Sequence, residues 1–223
     1  MSKQLRIWLF VLLGTLFTSS SLLAEGVITM TTTKAVGEEI LLGVQANGNI
    51  TIDGAKETGK VTMVYGEYYT IESQTITIRG DVTTLYCGGN QLTSLDVSGC
   101  IALTELNCEI NQLTSLDVSG CSALGWLSCS ENRLTNLDVS SCTALTGLSC
   151  SSNQLTSLNV SGCTALTELN CGWNQLTSLD VSGCTALTSL YCERNQLTSL
   201  NVSGCTSLTK LSCERNQLTS LDV

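Results

Sequence analysis

The sequence contains no histidine and no proline. The first absence removes the usual general base near neutral pH and the commonest zinc ligand. The second fits long, uninterrupted β stacking, because proline cannot donate to a ladder of backbone hydrogen bonds. Aromatic residues make up only 4% of the chain, and 10 Lys and Arg face 19 Asp and Glu, for a net charge of −9. With no basic cluster and few aromatics, nucleic acid is excluded as a partner, since a polyanion would be repelled. Enzymatic readings start at a disadvantage: no nucleophile stands in an evident pair with a base, and neither a cofactor nor a metal is indicated. An enzyme would depend on exposed carboxylates such as Glu105 or Glu168.

Repetition is what the sequence has in abundance. The 21 residues from Leu103 to Ala123 return, barely altered, to the end of the chain, with coils starting at Val82, Leu103, Leu124, Leu145, Leu166, Leu187 and Leu208. The order Leu-x-x-Leu-x-Cys-x-x-Asn-x-Leu at a fixed period in the twenties is the pattern of a leucine-rich-repeat solenoid. Each coil of a solenoid touches only its neighbours, so the chain length counts coils and not globular cores. Period-two alternation around Leu106 and Cys108 turns these two inward and Glu105 and Asn107 outward, on a strand that stacks into a parallel sheet. Leu113, Leu116 and Val118 supply a second, shorter extended face, and 21 residues leave no room there for a full helix. Seven coils spaced about 4.8 Å apart give a rod on the order of 30 Å long.

Two segments precede the coils. Lys3 and Arg6, the apolar run Ile7–Phe17 and the small residues up to Ala24 read as a secretory signal peptide over 1–24, too short in its apolar part to span a membrane. The mature protein is expected to begin near Glu25 and to be exported, secreted or at the cell surface, with no membrane span after cleavage. Residues 25–81 read as about five short strands, Val27–Thr33, Glu39–Gln45, Asn49–Asp53, Val61–Tyr65 and Thr75–Arg79, forming a β-rich cap for the first coil. Arg79-Gly80-Asp81 spells an integrin-recognition tripeptide, but a turn leaving a strand explains it. Residues 82–223 are the solenoid. Its last coil is incomplete at Val223, and a truncated product is the expected reason.

Three ladders invite chemistry. The asparagines from Asn90 to Asn216 recur where the chain leaves the sheet, so each amide is expected to satisfy backbone groups of its own turn and of the next coil. All thirteen cysteines lie in two ladders, Cys87 to Cys213 on the sheet and Cys100 to Cys205 opposite. Disulfides, metal clusters and small buried hydrophobes compete there. Parallel Cβ vectors and the absence of Cys-x-x-Cys spacing favour the last. The row Asp96, Asp117, Asp138, Asn159, Asp180, Asn201 and Asp222 could suggest calcium. Two neutral members and nearby Ser and Thr point to turn residues instead.

Coils differ from one another mainly at the third, fifth, seventh and eighth positions. By the alternation, the third and fifth project from the outer sheet face and the other two sit at its rim. Exposed positions drift when packing does not hold them, yet the exposed Thr, Ser and Asp of the second segment have not drifted comparably. The large groups among the variable residues also exceed what an idle surface needs. Tyr86, Glu105, Asn107, Ile110, Trp126, Glu168, Trp173, Tyr191, Arg194, Lys210 and Arg215 are therefore the candidate partner-binding residues.

These residues and their spacing resemble the leucine-rich repeats of bacterial internalin-type surface proteins, in the 21-residue variety whose sheet leucine is replaced by a cysteine ladder. The resemblance covers Val82–Val223. It implies a right-handed curved solenoid, a variable sheet face that binds partners, a secreted or cell-surface location, and a role in adhesion or host interaction. Internalins usually carry a helical N-terminal cap, where the segment here reads as β. The expected function is recognition of a protein, with a glycan, or an inert structural array, as the alternatives.

Overall fold

A computed structural model describes residues 26–62 and 66–223. The expected signal segment lies outside the described residues, as does most of the strand expected at Val61–Tyr65. Among the described residues there is no helix, only strands, turns and the loops between them.

The N-terminal segment forms six strands: β1 (Val27–Thr32), β2 (Glu39–Ala46), β3 (Thr51–Asp53), β4 (Ala55–Val61), β5 (Glu67–Ile71) and β6 (Thr75–Arg79). The difference from the expected five lies around the tight turn at Gly54, whose φ of 85° separates β3 from β4, and in β5. The β4 sequence Ala-Lys-Glu-Thr-Gly-Lys-Val has little apolar alternation, and β4 is exposed except at Ala55 and half-buried Thr58. Its pairing with β5 makes it a strand.

Coil 1 supplies β7 (Val82–Tyr86) and β8 (Leu92–Asp96). The later sheet strands are β9 (Glu105–Asn107), β10 (Trp126–Ser128), β12 (Gly147–Ser149), β14 (Glu168–Asn170), β15 (Ser189–Tyr191) and β17 (Lys210–Ser212). All seven sheet strands pair in parallel, one per coil, each 21 residues on from the last. On the opposite face run β11 (Asn136–Asp138), β13 (Ser157–Asn159), β16 (Ser199–Asn201) and β18 (Ser220–Asp222). Of these four, β11 pairs with β13 and β16 with β18, both in parallel.

The N-terminal strands continue both faces. β2 adds antiparallel to β7 and carries β5 and β4 beyond it, making a ten-stranded sheet, while β1 adds antiparallel to β8 on the other face. The N-terminal edge of the first coil is thus covered on both faces, which removes a pairing hazard at that end.

Leucine, cysteine and valine fill the interior: Leu106, Cys108, Leu113, Val118, Cys121 and Leu124 are fully buried, as are their counterparts in the central coils, to within a few per cent. The asparagine ladder joins coils, and its neighbour is the preceding coil instead of the expected next one. Asn132 Nδ2 donates to Cys108 O of coil 2 and to Cys129 O of its own coil, both near 3.0 Å, and its Oδ1 accepts from Leu113 N–H of coil 2. A buried amide with every group engaged is what makes such a residue tolerable in a core.

Candidate partner-binding face

The strand register arranges the outer face in two rows. One runs Thr84, Glu105, Trp126, Gly147, Glu168, Ser189, Lys210; beside it runs Tyr86, Asn107, Ser128, Ser149, Asn170, Tyr191, Ser212. Side chains in these rows point away from the core, yet not all are open. Thr84 is covered where Gln45 of β2 pairs with it, and Ser128 is buried with its hydroxyl on Glu109 Oε1. Trp126 and Lys210 are exposed, as is Glu168. Glu105, Asn107 and Tyr191 are half-buried.

Three groupings form on this face. At the N-terminal end, Tyr86 and Ile110, with Asn107, Glu109 and Leu41 of β2, line a mostly apolar hollow of about 260 Å³. The hydrogen bond to Glu105, aided by burial and by the charge of that carboxylate, pushes the Tyr86 phenol up to about 12. In the middle, the Trp126 indole lies across Gly147, the only glycine of its row, where a Cβ would collide with ring atoms Cε3 and Cζ3. Beside the ring is a hollow of about 280 Å³ reaching Glu168. At the rim, the Arg194 guanidinium stacks on Trp173, 3.7 Å from the ring centroid. Arg215 follows Arg194 at the eighth position of the next coil, and Tyr191 and Lys210 lie further along the rows. Leu41, Glu109 and the role of Gly147 were not picked out from sequence. Gly147 could have been, as the one missing side chain beside a tryptophan; nothing in the repeat pattern points to Leu41.

The rim has a backbone property that the pattern did not reveal. Ile110, Glu131, Ser152, Trp173, Arg194 and Arg215, all at the eighth position, adopt φ between 54° and 58°, while coil 1 has Gly89 there at 70°. A left-handed backbone costs a side-chain-bearing residue roughly 1–2 kcal/mol, and a β-branched one is the least suited to it. Even so, Ile110 is 57% and Trp173 52% exposed.

The remaining candidates resolve into structure. Asp96, Asp117, Asp138 and Asp180 each accept the backbone N–H two residues on, from Ser98, Ser119, Ser140 and Ser182, and Asn159 and Asn201 do the same. These bonds to Ser hold the four carboxyls below their ordinary range. All thirteen thiols are free. Burial pushes those of the central sheet ladder, Cys108, Cys129, Cys150 and Cys171, well above the ordinary thiol value. The other ladder does more than fill space: Cys121, Cys163 and Cys205 donate to Val97, Val139 and Val181 carbonyls of the preceding coil at 3.3–3.4 Å. Arg79 ends β6 3.7 Å from Asp53, Gly80 turns at φ 134°, and Asp81 accepts from Asn47. Among the described residues, no group of three or more Cys, Asp or Glu is arranged to hold a metal.

The chain is 46% identical to the functional domain of InlJ from Listeria monocytogenes, which includes a cysteine ladder; the match covers 63% of this chain and 32% of that one, with a TM-score of 0.62. The match therefore spans about a third of the length of that domain. A leucine-rich-repeat protein of Leptospira interrogans is 24% identical over 63% of this chain and 48% of its own, at a TM-score of 0.46. The internalin InlF of Listeria monocytogenes is 23% identical over 57% and 51%, at 0.38. No protein-family model matches the chain, and no curated protein does.

Proposed function

We propose that this internalin-like leucine-rich-repeat protein of the cysteine-ladder type is an exported, non-enzymatic binding protein that recognises a protein partner with its variable sheet face and rim. The observation that carries this reading is the left-handed row. Its backbone favours glycine, yet the row presents isoleucine, tryptophan and Arg215 to solvent, with Arg194 half-buried against that tryptophan. A surface free to drift would lose such residues, because they are strained where they stand and hold nothing in the core together. Aromatics flanked by charged groups are the composition of protein-recognition hot spots. Segment 1–24 acts as the export signal, residues 25–81 cap the first coil, and adhesion to a host or neighbouring surface is the role that follows.

The test is a pull-down from surface and matrix proteins and from a glycan array, using the secreted chain beside a Trp126→Ser, Trp173→Ser, Tyr191→Ser variant. Circular dichroism first shows both to be folded. A protein retained by the parent and lost by the variant is the expected result. Equal retention by both would move the site off this face, and retention of glycans alone would favour the saccharide reading.

A further inference from the structure

Of the two tryptophans on this face, one carries a cation and the other does not. Arg194 covers Trp173, whereas Trp126, 40% exposed, has no cation on its ring among the described residues. Its indole is laid down across Gly147, with that side of the ring against backbone. The hollow beside it is lined by Glu109, Glu168, Asn107, Asn170 and Ser128, and no Lys or Arg lines it. Glu105 is the register partner of Trp126 on one side, and Glu168 follows Gly147 on the other. The Ser128 hydroxyl holds Glu109 in place.

We propose that this hollow is a subsite for an arginine or lysine side chain of the protein partner. The partner's cation sits over the open side of the Trp126 ring, and its N–H groups reach the carboxylates of Glu168 and Glu109. This rests on the protein-binding reading above.

The argument is charge complementarity on a prepared surface. The face of an indole attracts a cation through its quadrupole, and adjacent carboxylates add charge-assisted hydrogen bonds of the same sign preference. Guanidinium is the better fit, since it is planar, weakly hydrated and able to stack and to hydrogen-bond at once. Because Gly147 lets the ring lie in one orientation before binding, less side-chain freedom remains to be lost on association. A sugar ring could use the same indole, but its neutral hydroxyls gain nothing from a net negative surround.

The experiment follows the indole N–H resonances of the ¹⁵N-labelled secreted chain. The probes are a blocked peptide carrying one arginine among glycines and serines, the same peptide with neutral citrulline, and maltotriose. The arginine peptide is expected to shift the Trp126 resonance, assigned by its loss in Trp126→Ser, with citrulline and maltotriose leaving it in place. Its affinity falls about threefold to tenfold in Glu168→Gln and holds in Glu72→Gln, a remote exposed carboxylate of the N-terminal segment. Equal shifts from citrulline, a Trp126 shift from maltotriose in place of the peptide, or no shift up to the peptide's solubility limit would overturn the subsite. The two readings fail separately. A protein captured by the parent, lost in the triple variant and held undiminished by Glu168→Gln/Glu109→Gln removes the subsite and leaves the binding face. Absence of any captured protein removes the binding face, whatever the peptide does.

Discussion

The sheet face and the opposite face of this solenoid invert the relation between sequence and structure. On the sheet face the outward residues change from coil to coil while the strand pairing never breaks, from β7 through to β17. On the opposite face the sequence Ser-Leu-Asp-Val-Ser-Gly hardly changes, yet pairing is interrupted between β11–β13 and β16–β18. Constancy of sequence therefore does not mark the better-ordered ladder. It marks where coils approach so closely that few residues fit. A Cβ at Gly120 or Gly162 would collide with the carbonyl of Ser98 or Ser140 in the preceding coil. Coil 3 has Ser141 at this position, and there coils 2 and 3 stand apart around a cleft of about 420 Å³ that Asp117 and Asp138 line. Apart from Gly147 beneath Trp126, the outer sheet residues meet no such limit, since Leu, Cys and Asn inside already hold the strands.

The largest effect expected from this division is alkaline unfolding. Burial raises thiols on both ladders: Cys87, Cys121, Cys163 and Cys192 to about 12, Cys100 and Cys184 to about 11, and the central sheet ladder well beyond the ordinary value. A raised thiol contributes stability in full below its unfolded value and loses it as pH rises toward the folded one. Above about pH 9 the unfolded chain sheds protons that the folded chain keeps, and each such thiol removes about 1.4 kcal/mol per pH unit. Several acting together exceed the 5–15 kcal/mol that holds an ordinary domain. Circular dichroism under reducing conditions is expected to show a folded protein at pH 8 and loss of structure within about one or two units above pH 9. A chain still folded at pH 12 would contradict dry, free thiol ladders.

Next comes the ladder that serves the sheet. Asn132→Ala leaves Leu113 N–H without an acceptor and the Cys108 and Cys129 carbonyls without the amide. Unsatisfied buried groups at about 1–3 kcal/mol each put the loss near 3–5 kcal/mol, readable in urea denaturation. Asn216→Ala, in the half-buried last coil, should cost distinctly less.

These ladders were legible because they are backbone requirements repeated at a fixed interval. Leu106 and Cys108 point inward by alternation, and an asparagine wherever the chain leaves the sheet announces a buried turn. The N-terminal segment was less legible. β4 has no apolar alternation and owes its form to its partner β5, a tertiary cause that local pattern cannot carry. The candidate face was half legible. Its rows follow from register, and Trp126 and Trp173 stand out by size. The lean of Trp126 onto Gly147, the stacking of Arg194 on Trp173 and the left-handed eighth position arise between coils or from turn geometry, and 21-residue spacing says nothing of either.

The opposite face is tested by Gly162→Ala. Its methyl would meet the Ser140 carbonyl, so coil 4 must move off coil 3 at the place where β11 and β13 pair. Overpacking of this kind costs about 1–3 kcal/mol. Gly99→Ala, with open space around the added methyl, is the control and should cost less than half as much. Equal effects would mean that turn propensity, and not coil contact, keeps glycine in this row.

The smallest effect is the most telling about the sheet face, because its sign is opposite to that of the others. Ile110 is a β-branched residue at φ 54°, exposed, at a position where coil 1 has glycine. Replacing it by glycine relieves roughly 1–2 kcal/mol of left-handed strain, and the greater freedom of glycine in the unfolded chain takes back about 0.4–1 kcal/mol. Ile110→Gly is therefore expected to leave stability unchanged or to raise it by up to about 1.5 kcal/mol, while weakening capture of the partner. A substitution that stabilises the fold and weakens recognition would mean that the rim residue is retained for contact and not for folding. A loss of 1 kcal/mol or more, with capture unchanged, would place Ile110 among the residues that hold the first two coils together and return the rim to the framework.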